Sequence, residues 1–158
     1  MTLELFENVT KIYNKLKHTT GGKNADYIPE LEKVNPKLYA ISICMVNGEK
    51  FNIGDFNHEF SIESCSKIFT LALALKKYGI TNIKKKIGAF SSKQKFNSIC
   101  DVDKTPNHTI NSFVNGGAMA TTSLLYKSNK REYINDIVDN MSDYAGRKLH
   151  VNNKIYKS

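Results

Sequence analysis

Ser64 and Lys67 are the residues of this 158-residue chain whose types and spacing could do covalent chemistry. They stand three residues apart at the head of Ser64-Cys-Ser-Lys-Ile-Phe-Thr-Leu-Ala-Leu-Ala-Leu-Lys-Lys-Tyr78, a stretch that reads as one helix over 64–78. On a helix that spacing puts both side chains on one face, within reach of each other. A hydroxyl at a helix start lies beside free backbone N–H groups, which favour developing negative charge. A lysine one turn further in can give up its proton if it is desolvated, and then serves as base. Those are the parts of a Ser-Lys nucleophile of the S-x-x-K acyl-transfer kind. The plainer alternative makes Ser64 an N-cap and Lys67 a snorkelling side chain. The bare pattern does not discriminate, because Ser92-Lys-Gln-Lys95 matches it too, in a polar stretch where nothing desolvates the lysine.

Other nucleophiles can be assembled on paper. Asp55, His58 and Ser64 could form a triad, and Cys65 could act as a thiol beside His58, but triads are defined by geometry that spacing does not contain. The ordinary reading makes His58 an exposed residue after a strand and Cys65 a small packing residue. His18, His108 and His150 are isolated. Cys44, Cys65 and Cys100 are widely spaced with no C-x-x-C, which argues against a disulfide framework or a zinc site. Two of the three sit in apolar sequence and are expected as buried, reduced thiols.

The elements that must position Ser64 and Lys67 follow from the hydrophobic pattern. The 64–78 helix has almost no polar face, so it is expected to be buried on most sides, with Gly79 as a left-handed stop. Residues 38–46 read as a strand buried on both faces, Asn47-Gly48 as a type I′ turn, and residues 49–53 as the returning strand. Gly54-Asp55 turns the chain out. Upstream, Leu5, Phe6, Val9, Ile12, Tyr13 and Leu16 mark an amphipathic helix over 3–17, closed by Gly21-Gly22. Pro29 forbids a long helix around it. Downstream, residues 80–111 are polar, broken by Gly88 and Pro106, with an apolar anchor at Phe96-Asn-Ser-Ile99. Residues 113–126 look helical despite Gly116-Gly117, a pair that points to close packing or to backbone brought near a ligand. Tyr133, Ile134, Ile137, Val138, Met141 and Tyr144 form a last stripe that Gly146 stops, and a further element begins at Val151. The fold class is α/β of the α+β kind. Strand, hairpin, strand and then a buried helix with a nucleophile at its start is the entry into a β-lactamase/transpeptidase-like domain.

Composition sets the outer bounds. At 41% hydrophobic residues the chain suits one domain with a real core. The 23 Lys+Arg against 15 Asp+Glu give +8, but the lysines are dispersed apart from Lys84-Lys85-Lys86. Without an Arg-rich helix or a basic strand interleaved with aromatics, this is a solvated lysine-rich surface and no nucleic-acid partner is expected. Glu4 and the lack of a continuous apolar run argue against a signal peptide. No window approaches a membrane span, so no membrane partner is expected and the cytosol is the expected compartment.

Asp26-Tyr-Ile-Pro29, Gly54-Asp55, Phe60-Ser-Ile62, Ser64-x-Ser-Lys67, Phe96-Asn-Ser-Ile99, and Asn115-Gly-Gly-Ala118 followed by Thr121-Thr-Ser-Leu124 occur in this order across nearly the whole chain. Together they resemble the serine-dependent glutaminases. The resemblance implies hydrolysis of L-glutamine to L-glutamate and ammonia, without metal or organic cofactor, on a β-lactamase-like fold. Carried over, Ser64 is the nucleophile and Lys67 the base. Asn115 holds the amino acid end of the substrate, and Tyr27 lies beside the substrate and orders the site. The Ser64 N–H supplies half of an oxyanion hole. The resemblance also implies a homo-oligomer for the full-length form.

Three departures stand out. Glu63 replaces the glutamine that precedes the nucleophile and contacts substrate, and a carboxylate there favours the charged form of a lysine that must be neutral to act. Asn111-Ser112 stands where the family has Asn-Pro, and Gly116 replaces an alanine. The family's substrate-binding glutamate, a second asparagine, two tyrosines and closing strands fall beyond Ser158 in this register. Residues 1–158 are therefore expected as the N-terminal part of a single catalytic domain, with helix, hairpin and nucleophile helix in 1–79 and a mainly helical region in 80–158. Alone, such a chain is expected to be an inactive and unstable monomer. The alternative reading is a non-catalytic remnant or interaction module.

Overall fold

The computed structural model describes residues 2–98, 109–126 and 130–158. Expectations resting on Ile99, Cys100, Pro106 and His108 lie outside the described residues. In chain order the elements are α1 (Thr2–Leu16), α2 (Pro29–Glu32), β1 (Ala40–Cys44), β2 (Lys50–Gly54), a 3-10 turn (Glu63–Cys65), α3 (Ser66–Lys86), α4 (Asn115–Leu124), α5 (Lys130–Ala145) and α6 (Asn153–Lys157). They fall into two compact units, Met1–Phe60 with Asn152–Ser158, and Ser61–Val151.

In the first unit the apolar stripe of α1 meets the hairpin. Phe6 stacks on Phe51 at 4.7 Å between centroids and Tyr13 on Tyr39 at 5.2 Å. β1 and β2 pair antiparallel, Ala40 opposite Gly54 and Cys44 opposite Lys50. The connection differs from the expected type I′ turn. Met45 N donates to Glu49 O (2.8 Å) and Gly48 N to Met45 O (2.9 Å), so the loop is Val46-Asn47-Gly48, with only Gly48 at positive φ (85°). This is a type I turn followed by a left-handed glycine. The register explains the choice: Ile41 and Ile43 face Ile53 and Phe51, whereas a two-residue loop would slip them against Gly54 and Asn52.

The strand is not buried on both faces as expected. Ile41 and Ile43 are half-buried, while Ala40, Ser42 and Cys44 are exposed. The reason is cover: α1 packs on the hairpin from one side. Gly54 (φ 81°) ends β2 where any Cβ would lie 2.3 Å from Tyr39 O. At the other end of the unit α2 contacts α6, and Asn152 Oδ1 caps α6 by accepting from Lys154 N (3.0 Å) and Ile155 N (3.3 Å). Glu30 pairs with Lys33. That hydrogen bond, then the Lys33 charge, with Lys154 adding, holds the Glu30 carboxyl below its usual range despite slight opposing desolvation.

The second unit is built on α3. The helix does not stop at Gly79: the chain pivots there (φ 75°, ψ 159°) and resumes helical geometry to Lys86. Only glycine enters that backbone region without strain, so the break falls where expected while the element continues. α4 and α5 pack on α3. Ala74, Ile83, Ile87 and Leu125 form the sealed core, flanked by Leu71, Leu75, Tyr78, Leu124 and Ile137. Tyr78 OH donates to Leu124 O (2.6 Å), tying α3 to the end of α4. Asn140 Nδ2 donates to Phe69 O (3.2 Å), tying α5 to α3. Burial of α3 on most sides is not observed, since Ile68 is 58% exposed. Two packed helices seal only a line such as Thr70 and Ala74, one turn apart. α5 ends in a Schellman pattern, Arg147 N to Ser142 O and Gly146 N to Asp143 O (both 3.3 Å), with Gly146 left-handed. Among the described residues no helix is long and apolar enough to cross a membrane.

Candidate active site

The second unit holds Ser64, Lys67 and Asn115. Ser64 is not the first residue of the α-helix, as expected, but sits in the 3-10 turn that feeds it, with its side chain exposed. The turn begins at Glu63, whose φ of 46° is the single left-handed value at a non-glycine position among the described residues. Such a conformation costs of order 1 kcal/mol and persists only where neighbours hold it. Here Ser61 Oγ donates to Glu63 Oε1 (2.8 Å), Ser66 Oγ to Glu63 O (2.7 Å) and Cys65 N to Ile62 O (3.1 Å). The strain therefore lies in the residue that immediately precedes Ser64.

Lys67 is the second residue of α3. Its Nζ donates to Asn115 Oδ1 at 2.7 Å and to the Phe113 carbonyl at 3.0 Å. The chain thus brings together two expected site residues 48 positions apart. What places the acceptors is the entry into α4. Asn111 Oδ1 accepts from Phe113 N (2.9 Å) and Val114 N (3.2 Å), while its Nδ2 donates to Phe90 O (2.8 Å). Asn115 N, a helix-start amide with no partner inside the helix, donates to Phe96 O (2.8 Å). Ser112, 4% exposed where the family pattern has proline, receives a hydrogen bond from Thr121 Oγ1 (3.0 Å). Gly117 allows the approach: a Cβ there would lie 1.7 Å from Asn111 O. Of the two expectations for the glycine pair, close packing holds at Gly117.

Tyr27 belongs to the first unit, ahead of α2, and is 71% exposed. Asp55 Oδ2 accepts from Tyr39 N (3.0 Å) and His58 is exposed, which gives both ordinary places at the end of β2. Cys44 and Cys65 are exposed free thiols rather than buried ones, because Cys44 occupies an outward position of β1 and Cys65 lies in the turn before α3. The apolar anchor expected at Phe96 is also corrected: its ring is 64% exposed, and its carbonyl does the anchoring. A groove of about 390 Å³ in this unit is lined by Leu71, Leu75, Ile83, Phe90 and Phe113, with Lys84 as its one charged side chain. Its walls include Ser91 and Ser112, and neither Ser64 nor Lys67 lines it. Among the described residues no cluster of His, Cys, Asp or Glu could hold a metal ion. Sequence reasoning missed Asn111, Phe96 and Phe113 as contributors. Two act through backbone carbonyls, which have no side-chain signature, and the signal for Asn111 was its Asx-turn chemistry ahead of a helix.

Comparison with known proteins places this geometry. The glutaminase family model matches residues 22–158. A glutaminase of Bacteroides thetaiotaomicron is 39% identical over 156 residues, covering 98% of this chain and 49% of that protein. One of Mycobacterium marinum is 38% identical over 150 residues, covering 95% and 47%. Among solved structures, the probable glutaminase ybaS superposes with a TM-score of 0.94 at 33% identity, over 100% of this chain and 51% of that one. A probable glutaminase from Bacillus subtilis, complexed with 6-diazo-5-oxo-L-norleucine, shares the fold at a TM-score of 0.71 and 22% identity, over 93% and 42%. The chain spans about half the length of the curated relatives it matches. Its helices and hairpin are the corresponding part of the β-lactamase-like α/β fold of those structures. With the match running from residue 22 to residue 158 and the backbone superposing over the whole chain, this protein belongs to the glutaminase family.

Proposed function

We propose that this chain carries the nucleophile part of a glutaminase, which hydrolyses L-glutamine to L-glutamate and ammonia through an acyl-enzyme on Ser64. Residues 1–158 are, in this reading, the N-terminal part of a single catalytic domain, acting in the cytoplasm and without cofactor. A carboxamide is a poor electrophile, so the site needs an activated nucleophile and donors for the oxyanion. Ser64 Oγ attacks the side-chain carbonyl carbon of glutamine and Lys67 takes its proton. The C–N bond breaks as ammonia leaves with a proton, and water then releases glutamate from Ser64. The Ser64 N–H faces the oxyanion, Asn115 addresses the amino acid end of the substrate, and Tyr27 orders it.

The observation that carries this reading is the Lys67–Asn115 hydrogen bond of 2.7 Å, one turn from Ser64. Lys67 follows the exposed Ser64 by three residues, and two neutral acceptors fix where its amine lies. The test is glutamate release from glutamine by the purified chain, together with intact-mass detection of an adduct with 6-diazo-5-oxo-L-norleucine. Turnover and an adduct, both lost in Ser64→Ala, support the assignment; an adduct that persists in Ser64→Ala sinks it. Because the chain spans half the length of its relatives, a non-catalytic interaction module is the second reading. Neither adduct nor turnover in a folded chain favours it.

A further inference from the structure

The segment 111–115 does more than carry Asn115 to the site. A neutral lysine amine has two N–H bonds and one lone pair, and as base it must offer that lone pair to Ser64. Lys67 has two acceptors, Asn115 Oδ1 at 2.7 Å and Phe113 O at 3.0 Å. Two acceptors occupy two of the three free directions around Nζ and leave a single direction open. We propose that residues 111–115 form a clamp that orients Lys67, with Asn115 and Asn111 as positioning residues, distinct from any contact Asn115 makes with substrate. This rests on the Ser-Lys reading for its chemical consequence but not for its geometry.

Asn111 acts through the backbone. Its Oδ1 takes Phe113 N and Val114 N, which fixes the peptide whose carbonyl meets Lys67, and its Nδ2 is anchored on Phe90 O. The Phe96 carbonyl fixes the other half by holding Asn115 N at 2.8 Å. The Phe96-Asn97 and Asn111 motifs, which have no catalytic role of their own, thereby acquire one function: both set the distance of an acceptor from the same lysine nitrogen. The Asn115 amide is also constrained, since committing Oδ1 to Lys67 fixes which way its Nδ2 points.

The clamp is tested by two readouts on the purified chain. Acylation of Lys67 by an amine-reactive acetylating reagent, quantified by peptide mass spectrometry, reports how firmly the amine is held. Labelling of Ser64 by a small fluorophosphonate, which has no amino acid end, reports the chemical consequence. Asn115→Ala should speed Lys67 acylation about fivefold, the worth of one neutral hydrogen bond, and slow Ser64 labelling by a similar factor. Asn115→Asp keeps an oxygen acceptor and adds a charge that favours the protonated lysine, so Lys67 acylation should be no faster than in the parent. Asn111→Ala should behave like Asn115→Ala; a thermal melt checks that it folds, and the Asn115 pair decides the matter if it does not. Equal Lys67 acylation in the parent and Asn115→Ala overturns the clamp, whatever Ser64 does. Ser64 unlabelled in the parent, with Lys67 responding as expected, supports the clamp and removes the nucleophile assignment. Ser64 labelled equally fast in the parent and Asn115→Ala overturns the catalytic consequence and leaves Asn115 as a substrate contact.

Discussion

Gly117→Ala tests the packing on which the site depends. In an ordinary helix interior, alanine for glycine gains about 0.5–1 kcal/mol. At this position the new Cβ would lie 1.7 Å from Asn111 O, 2.7 Å from Asn111 C and 3.0 Å from Thr109 Oγ1. Separations under 3.0 Å are essentially never seen for a real Cβ, and the obstructing atoms are backbone, so α4 and the 109–111 segment must part by more than an ångström. Overpacking of this kind costs about 1–3 kcal/mol, and Asn111 cannot yield freely because its side chain holds Phe90, Phe113 and Val114. We therefore expect a net loss of about 2 kcal/mol, opposite in sign to the helix propensity. At about 2–4 °C per kcal/mol for a chain of this size, Tm should fall by about 4–8 °C. Thermal denaturation followed by far-UV circular dichroism measures it, and Lys67 acylation should rise in the same variant as Asn115 is pushed from the lysine. An unchanged or higher Tm would show that α4 does not sit against Asn111 as described.

The remaining expectations are more local. Where a complementing C-terminal segment gives glutamate release, Ser64→Ala should abolish it with little change in the melt, because Ser64 is exposed and its loss removes a nucleophile rather than a packing group; unchanged release would remove it from the mechanism. With the same complementing segment, Glu63→Gln should raise activity by removing the carboxylate next to the nucleophile, and a fall in initial rate would mean that the carboxylate is adapted to the site. Tyr78→Phe deletes the hydroxyl that donates to Leu124 O at 2.6 Å and should cost about 0.5–1.5 kcal/mol, read as a lowered denaturation midpoint at unchanged m-value. Glu30 titrates below its usual range because of Lys33. A depressed carboxyl contributes stability that is present above the unfolded-state pKa and lost as pH falls through the folded value. Lys33→Ala should therefore move the Glu30 titration, followed by carbonyl NMR, upward towards the ordinary carboxylate range; no movement would mean that the pair is not formed in solution.

Local pattern determined much of this molecule. The stripe of Phe6, Val9 and Tyr13 was enough for α1, the glycines at 79 and 146 marked where helical geometry breaks, and the order of short motifs was enough for the family. These are signals within one turn or one strand, where side-chain period and backbone freedom act directly. Other features were decided by tertiary context. The hairpin took a three-residue loop over the Asn-Gly turn because register against Phe51 and Ile53 outweighed a two-residue preference. Helix α3 kept Ile68 in solvent because two packed helices seal only part of a cylinder. Above all, Lys67 meets Phe113 O and Asn115 Oδ1 because Asn111 ties Phe113 to Phe90 while the Phe96 carbonyl holds Asn115 N. Residue types could nominate Lys67 and Asn115, but backbone carbonyls look alike at every position of a sequence. Only folding selects which of them face the lysine.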